Sequence, residues 1–309
     1  MAKVLFRPDD RTVETDPGET LLDVAKRSGI PLAHACGGNA RCTTCRVMVL
    51  EGRDSCSGRT AEEAVLAEQA GFGPGIRLAC QTKVDGEAEI RRLVLDDRDV
   101  ELTSVMIEGA ALGRVGREKH VIVMFADIRS FTTFSANLLP YDVVHLLNRY
   151  FHQMGAIIRH HGGSIDNYMG DGLMALFETD EPADGALRAV RAGLEMLESV
   201  ELLKPYVTEL HGRAFDIGIG IHCGLVVAGT IGEPGSSRHT VIGDAVNFAS
   251  RVESANKRAG TRLLVSQDVH TLLGGRARTG RSLTMSLKGV EGEHTLHEIV
   301  SLGPRTPRR

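Results

Sequence analysis

The chain has 309 residues with a formal net charge of −4, of which 42% are hydrophobic and 25% charged; this length suits about two globular domains of roughly 150 residues each. The acidic balance argues against nucleic-acid binding, which usually leaves a basic footprint, and no apolar run approaches the roughly 18 residues of a membrane helix. Because the N-terminus also lacks the basic and apolar regions of a signal peptide, we expect a cytoplasmic protein whose six cysteines are poor disulfide candidates.

Residues 1–96 predict a small domain that is rich in strands. The pattern of apolar residues indicates a hairpin over 3–6 and 12–15, a helix over 19–28, and further strands over 46–50 and 89–93. Gly29 suits the end of the helix, because glycine adopts the left-handed conformation that commonly closes one.

Four cysteines of this first region form a pattern that suits a metal centre. Cys36, Cys42 and Cys45 lie on one loop of small residues, and Cys80 is distant in sequence. The glycines of the loop let the backbone approach sulfur closely. Zinc more often uses two Cys-x2-Cys pairs, and only one such pair is present here. Zinc and free thiols remain alternatives to an iron–sulfur cluster on this evidence.

The C-x5-C-x2-C spacing with a distant fourth cysteine is similar to that of the [2Fe–2S] ferredoxins. The plant-type spacing has four residues in its first gap, whereas this chain has five, so it resembles the adrenodoxin-like branch. The order of predicted elements agrees with a β-grasp ferredoxin. The resemblance implies a [2Fe–2S] cluster on the four cysteines, and a ferredoxin reductase or another electron donor as a partner.

After a predicted linker over 97–118, the apolar pattern becomes regular again. It predicts a strand over 120–126, a helix over 140–161, two strands over 164–168 and 173–177, a helix over 183–197 and a strand over 215–225. Together these elements predict a βαββαβ core that is followed by an extension, in a domain over residues 119–300. Residues 301–309 are expected to be a basic, solvated tail.

Two aspartates end strand-like runs of this second domain. Asp127 follows the first strand, and Asp171 lies in the turn of the predicted hairpin. In a βαββαβ sheet these strands are antiparallel neighbours, so the two carboxylates should meet. Hard oxygen ligands suit Mg²⁺ or Mn²⁺, and the carbonyl of Ile128 can add a ligand. Backbone amides that enter the next helix can take phosphate oxygens: those of Ser130, Phe131 and Thr132.

With the run over 243–251, these motifs resemble a class III adenylyl/guanylyl cyclase catalytic domain, of ferredoxin-like α+β fold. The resemblance implies two divalent cations per site, held by Asp127 and Asp171, which act on a nucleoside triphosphate. It further implies that Asn247 orients the ribose and that Arg251 stabilises charge on the α-phosphate. Asn247 and Arg251 are four residues apart on a predicted helix, so they share a face.

The resemblance also implies a homodimer. In this family the metal-binding aspartates come from one protomer, and the asparagine and arginine come from the other. One position departs from the pattern, because Asn167 stands where adenylyl cyclases usually have lysine; Thr240 matches the usual partner position. Asparagine can both donate to and accept from a purine edge, but it supplies no cation. We favour ATP as the substrate over GTP.

The leading hypothesis is therefore an adenylate cyclase that converts ATP to 3′,5′-cyclic AMP and pyrophosphate, and whose activity is modulated by the N-terminal cluster. One alternative is a non-catalytic or guanylate-specific redox signalling module. Another is a ferredoxin electron carrier whose C-terminal domain only dimerises it. The complete set of Asp127, Asp171, Asn247 and Arg251 favours catalysis.

Overall fold

The computed structural model describes residues 2–93, 117–136, 138–212, 214–231 and 238–303. The chain divides into two compact units, Met1–Arg117 and Glu118–Arg309. Most of the predicted linker over 97–118, and residues 304–309 of the predicted tail, lie outside the described residues. The predicted domain boundaries therefore stay predictions. In the described part of the chain, no helix has both the length and the apolar character that crossing a membrane requires.

The N-terminal unit is built on one mixed sheet, in the order β2-β1-β5-β3-β4. Its strands are β1 (Ala2–Arg7), β2 (Arg11–Thr15), β3 (Arg46–Glu51), β4 (Ile76–Leu78) and β5 (Glu87–Arg92). Its α-helices are α1 (Leu21–Arg27) and α2 (Ala61–Gln69), and a 3-10 turn spans Arg53–Ser55. Strands β1 and β5 run parallel at the centre of the sheet. This arrangement confirms the predicted β-grasp fold, although the sequence pattern did not predict α2 or β4.

The C-terminal unit is a larger sheet with helices packed against it. Its strands are β6 (Arg117–Ile128), β7 (Ser164–Met169), β8 (Gly172–Phe177), β9 (Ile217–Ile231), β10 (Arg238–Ile242), β11 (Leu263–Ser266), β12 (Ala277–Ser286) and β13 (Glu293–Leu302). Its helices are α3 (Phe131–Ser135), α4 (Pro140–His160), α5 (Pro182–His211), α6 (Asp244–Ala259) and α7 (Gln267–Leu273). The strand order is β12-β13-β11-β9-β6-β8-β7, and β10 pairs with β9. The predicted α+β class is confirmed.

The sheet brings the end of β6 to the β7–β8 turn. Strands β6 and β8 are antiparallel, with Ala126 opposite Leu173 as the last pair. Met169 pairs with Gly172, which leaves a two-residue turn of Gly170 and Asp171. Gly170 has φ +64°, a conformation that glycine adopts without steric cost and that hairpin turns of this length require. The topology thus places position 127 beside position 171.

Two of the predicted elements end too early. The helix predicted over 183–197 is α5, which continues to His211 with Pro205 inside it. Proline usually ends a helix, but Val200, Leu203 and Val207 keep facing the core on its second half, so packing sustains the helix. The strand predicted over 215–225 is β9, which continues to Ile231 because its outer half pairs with β10.

Candidate active site and cluster site

Asp127 and Asp171 meet at the end of β6. Their carboxyl groups lie within hydrogen-bonding reach of each other, and the Ile128 amide donates to Asp127. Burial, then the nearby charge of Asp171, raises the pKa of Asp127 to about 6. Gly172 keeps the approach open, since a Cβ there would lie 3.0 Å from the Asp127 Oδ1 atom. Two close carboxylates, of which Asp127 has a raised pKa, are a suitable environment for a divalent cation.

Among the described residues, no three or more His, Cys, Asp or Glu side chains converge on one metal ion, either at the two aspartates or at the four cysteines of the N-terminal unit. The two aspartates would therefore leave most positions around a cation to other ligands. Mg²⁺ suits such a site, because it usually binds through one or two carboxylates and takes its remaining ligands from phosphate and water. The Ile128 carbonyl stays a predicted ligand.

A third carboxylate lies near this pair and was not predicted. Glu253 of α6 has its pKa raised to about 7, first by burial and then by the charge of Asp127, while Arg129 opposes the shift. Tyr150 is fully buried; burial first, and then the charges of Asp127, Asp171 and Glu253, raise the pKa of its phenol. The Tyr150 hydroxyl has no hydrogen-bond partner among the described residues.

Glycines on β9 make room for Glu253. A Cβ at Gly220 would lie 2.5 Å from the Glu253 Cα atom, and one at Gly218 would lie 2.7 Å from its Oε1 atom. Strand β9 can thus pack directly against α6, with 218 and 220 on the face that meets the helix. The consequence is that α6 directs Glu253 toward the aspartates of its own chain.

Asn247 and Arg251 project from a different side of α6. At 3.6 residues per turn, they lie roughly 200° to 240° around the helix axis from Glu253. Asn247 is exposed and Arg251 is partly exposed. Since Glu253 faces the aspartates of its own chain, Asn247 and Arg251 face away from them. This geometry brings together Asp127 and Asp171 within one chain, but it does not bring Asn247 and Arg251 to them.

Asn167 and Thr240, the predicted base-reading positions, lie on β7 and β10. Asn167 is partly buried. The Thr240 hydroxyl is buried, and it donates to the Asp166 carboxylate across 2.7 Å. The prediction that Asn167 and Thr240 read the base stays a prediction, and the structure adds that the Thr240 hydroxyl bonds to Asp166, the neighbour of Asn167. Asp166 could have been suspected only as the neighbour of Asn167.

The segment that follows Asp127 turns sharply into α3. Ser130 has φ +55°, an uncommon conformation for a residue other than glycine, and its carbonyl accepts from the Phe134 amide. The Phe131 and Thr132 amides lie in the first turn, where backbone donors lack partners within the helix. Their predicted contact with phosphate oxygens stays a prediction.

The four cysteines of the N-terminal unit form two pairs. The Cys45 and Cys80 sulfurs are 3.5 Å apart, and Cys36 forms a side-chain hydrogen bond with Cys42. Two pairs of thiols match two iron atoms with two cysteine ligands each, whereas a single zinc ion needs four converging ligands. The donor set thus fits a two-iron cluster better than zinc.

Hydrogen bonds to sulfur support this assignment. Burial alone would raise the pKa of Cys36. Hydrogen bonds from the Arg41 amide and the Cys42 side chain act in the opposite direction, and the net result is a lowered pKa. The hydrogen bond from Cys45 lowers the pKa of Cys80 to about 6, and the Gln81 amide donates to the same sulfur at 3.6 Å. Thiolates are the ligand form, so these donors favour metal binding by Cys36 and Cys80, whereas the hydrogen bond to Cys80, and then burial, raise the pKa of Cys45.

We expect that replacing Glu63 with alanine destabilises the strand that leads to Cys80. Glu63 is fully buried; it binds Arg77 through two hydrogen bonds of 2.9 Å and accepts from the Leu78 amide at 2.8 Å. Leaving Arg77 without its partner should lower the free energy of unfolding by about 3–5 kcal/mol. Denaturant unfolding measures this change. The exposed neighbour in Glu62→Ala should change it by less than about 0.5 kcal/mol, and equal effects of the two variants would contradict the expectation.

Comparison with known proteins agrees with the assignment of both domains. The family model "Adenylate and Guanylate cyclase catalytic domain" matches residues 114–300, and the model "2Fe-2S iron-sulfur cluster binding domain" matches residues 5–85. An adenylate cyclase of Anabaena cylindrica is 38% identical over 164 residues, which are 53% of this chain and 32% of that protein. This chain thus spans about a third of that curated relative.

Solved structures give the same result for the second unit. The guanylyl cyclase Cya2 is 34% identical, with a TM-score of 0.57 that covers 61% of this chain and 95% of that one. The adenylyl cyclase CyaB from P. aeruginosa is 28% identical, with a TM-score of 0.55 that covers 60% and 96%. The chain belongs to the adenylate and guanylate cyclase catalytic domain family, and it carries an N-terminal domain of the 2Fe-2S iron–sulfur cluster binding family.

Proposed function

We propose that the protein is an adenylate cyclase, which converts ATP to 3′,5′-cyclic AMP and pyrophosphate at sites shared by two copies of the chain. The observation that carries this proposal is the convergence of Asp127 and Asp171 at the end of β6. The relatives include both adenylyl and guanylyl cyclases, so cyclisation of GTP is the second candidate.

The residues of this chain divide the work in the following way. Asp127 and Asp171 would hold divalent cations, Mg²⁺ or Mn²⁺, and such cations would supply acidification of the ribose 3′-hydroxyl and neutralisation of the triphosphate. Asn247 orients the ribose by hydrogen bonding. Arg251 stabilises the charge that develops on the α-phosphate while the 3′ oxygen attacks phosphorus and pyrophosphate leaves; such stabilisation is worth a few kcal/mol, about 3 to 4 in measured cases.

An exposed apolar face supports the dimer. Leu225, Val227 and Ile231 alternate along the outer half of β9 and are 44–59% exposed, and Ile242, opposite Val227, is 57% exposed. Val226, which lies between Leu225 and Val227 on the strand, points to the opposite face and packs inward against α6. A continuous apolar face of this kind marks an interaction surface. In the proposed homodimer, a second copy is seated on this face and supplies its Asn247 and Arg251 to the aspartates of the first.

Anaerobic incubation with ATP or GTP and Mn²⁺ tests the proposal, with cyclic nucleotide quantified for oxidised and reduced clusters. Cyclic AMP as the main product is the expected result. Cyclic GMP as the main product would favour the guanylate-specific alternative. Absence of both products would favour a non-catalytic module, in which the second domain binds nucleotide and the ferredoxin domain reports redox state.

We expect Mn²⁺ affinity to fall as the pH is lowered through about 6. The pKa of Asp127 is about 6 in the metal-free fold, above its ordinary value of 3.8, and the protonated group cannot hold a cation. The stability of the metal-free protein should change in the opposite sense: the protonated group favours the fold below pH 4, and this contribution is lost as the pH rises through about 6. Titrations of Mn²⁺ at several pH values measure the first effect. An affinity independent of pH between 5 and 7 would contradict the assignment.

A further inference from the structure

Strand β7 contains a β-bulge beside the predicted base-reading position. Ile165 pairs with Ala175 of β8, and Asn167 pairs with Met174, so β7 has one extra residue, Asp166, at this point. A bulge sets two residues of one strand against one of its partner and redirects a side chain. Bulges are frequent next to functional sites. The face to which this bulge turns the side chain of Asp166 therefore bears on the base-reading site.

The bulge places Asp166 and Asn167 on the same face. Ile165 packs against the core beneath the helices, and the Tyr168 ring lies 4.5 Å from the Phe151 ring of α4. Positions 165 and 168 therefore both face α4, which regular alternation would not allow. The two residues between them project to the other face, and Asp166 reaches Thr240 there.

The hydrogen bond between Thr240 and Asp166 determines what Thr240 can offer a ligand. A threonine hydroxyl has one hydrogen to donate and two lone pairs that accept, whereas a carboxylate only accepts. Thr240 donates its hydrogen to the Asp166 Oδ2 atom at 2.7 Å. Toward any other group, the hydroxyl is left with lone pairs only. Thr240 is thus held as a hydrogen-bond acceptor.

An acceptor at this place distinguishes the two purines. At position 6 adenine carries an amino group, which donates, whereas guanine carries a carbonyl oxygen, which accepts. An acceptor-only hydroxyl pairs with the adenine amine and repels the guanine oxygen. The Asn167 amide can add one donor and one acceptor to the same edge. No lysine is needed for this discrimination.

We propose that Asp166 is a positioning residue that sets the preference for adenine by holding the Thr240 hydroxyl as an acceptor. The proposal rests on the proposed function, since it takes Asn167 and Thr240 as the base-reading pair. The preference for adenine is thus assigned to Asp166, the residue next to the predicted base-reading position. The β-bulge that places Asp166 there is seen in the pairing of β7 with β8.

The test compares ATP with GTP in the Asp166→Asn variant. The amide of this variant can donate to Thr240, which frees the hydroxyl to donate to the base. The ratio of kcat/KM for ATP to kcat/KM for GTP should fall by about tenfold or more, mainly through KM for ATP. Thr240→Val should lower the ratio as well, whereas Thr240→Ser keeps the hydroxyl and should retain the preference. Asp180→Asn, at an exposed aspartate after β8, is the matched control and should leave the ratio unchanged.

Equilibrium binding of ATP and GTP to the same variants separates this proposal from the proposed function. If the wild-type protein forms no cyclic product, the proposed function fails. A binding preference for ATP that Asp166→Asn abolishes would still support the assignment. The assignment is overturned if the wild type does not prefer ATP in either measurement, or if its preference survives in Asp166→Asn, whatever the result for Thr240→Val.

Discussion

Replacing Asp171 with alanine is expected to lower the rate of cyclic nucleotide formation by about a thousandfold or more, because the proposed site would lose one of the two carboxylates that would hold its cations. Asp171 lies in a two-residue turn, and its charge helps to raise the pKa of Asp127. Removal of the Asp171 carboxylate therefore relieves its repulsion of Asp127, so the variant should fold at least as stably as the wild type. Initial rates with ATP and Mn²⁺, together with a thermal unfolding curve, measure the two effects. Asp180→Ala removes an exposed carboxylate nearby in sequence and should change neither.

The same variant allows a test of the shared site. We expect Asp171→Ala and Arg251→Ala each to be nearly inactive alone, and to regain activity when the two are coexpressed. In a heterodimer, one site combines intact aspartates with the intact arginine of the other chain. Random pairing makes half of the dimers mixed, with one working site of two, so about a quarter of wild-type activity should return in a symmetric dimer. No recovery from stable, mixed dimers would mean that each chain completes its own site.

The convergence of the two aspartates could be predicted from the sequence because it depends on strand order alone. Apolar runs that end at Asp127 and flank Asp171 indicate neighbouring antiparallel strands, and the register of β6 and β8 agrees. The cysteine pattern is informative for the same reason, since three ligands lie on one short loop. Features of this kind are local in sequence or follow from topology.

Other parts of the site depend on packing that no local pattern records. Glu253 reaches the aspartates because Gly218 and Gly220 let α6 approach β9, and isolated glycines in a strand do not say which helix they admit. The hydrogen bond of Thr240 to Asp166 depends on a one-residue bulge in β7. The helix predicted over 183–197 ends too early, because packing of Val200, Leu203 and Val207 against the core continues α5 past Pro205.

Replacing Cys80 with serine is expected to abolish the visible absorption of the [2Fe–2S] cluster after anaerobic reconstitution. Cys80 is buried and lies 3.5 Å from Cys45, so its loss removes half of one ligand pair. Iron and sulfide content per chain measure the effect, and they also distinguish two irons from one zinc. Cys56→Ser is the matched control: this thiol contacts the Gly52 carbonyl, lies outside both pairs, and its replacement should leave the cluster intact. Stable retention of two irons both in Cys80→Ser and in Cys80→Ala, which offers no ligand atom, would exclude Cys80 as a ligand.

The Cys80→Ser variant also decides whether the cluster regulates the cyclase. If reduction of the cluster modulates activity, oxidised and reduced wild-type protein should form cyclic AMP at different rates, and the variant should form it at a single rate under both conditions. Cys56→Ser should behave as the wild type does, which separates cluster chemistry from a general effect of the reductant. Equal rates for oxidised, reduced and cluster-free protein would rule out redox control. Rapid electron transfer from a ferredoxin reductase to an acceptor enzyme, without formation of any cyclic nucleotide, would favour the electron carrier whose C-terminal domain only dimerises it.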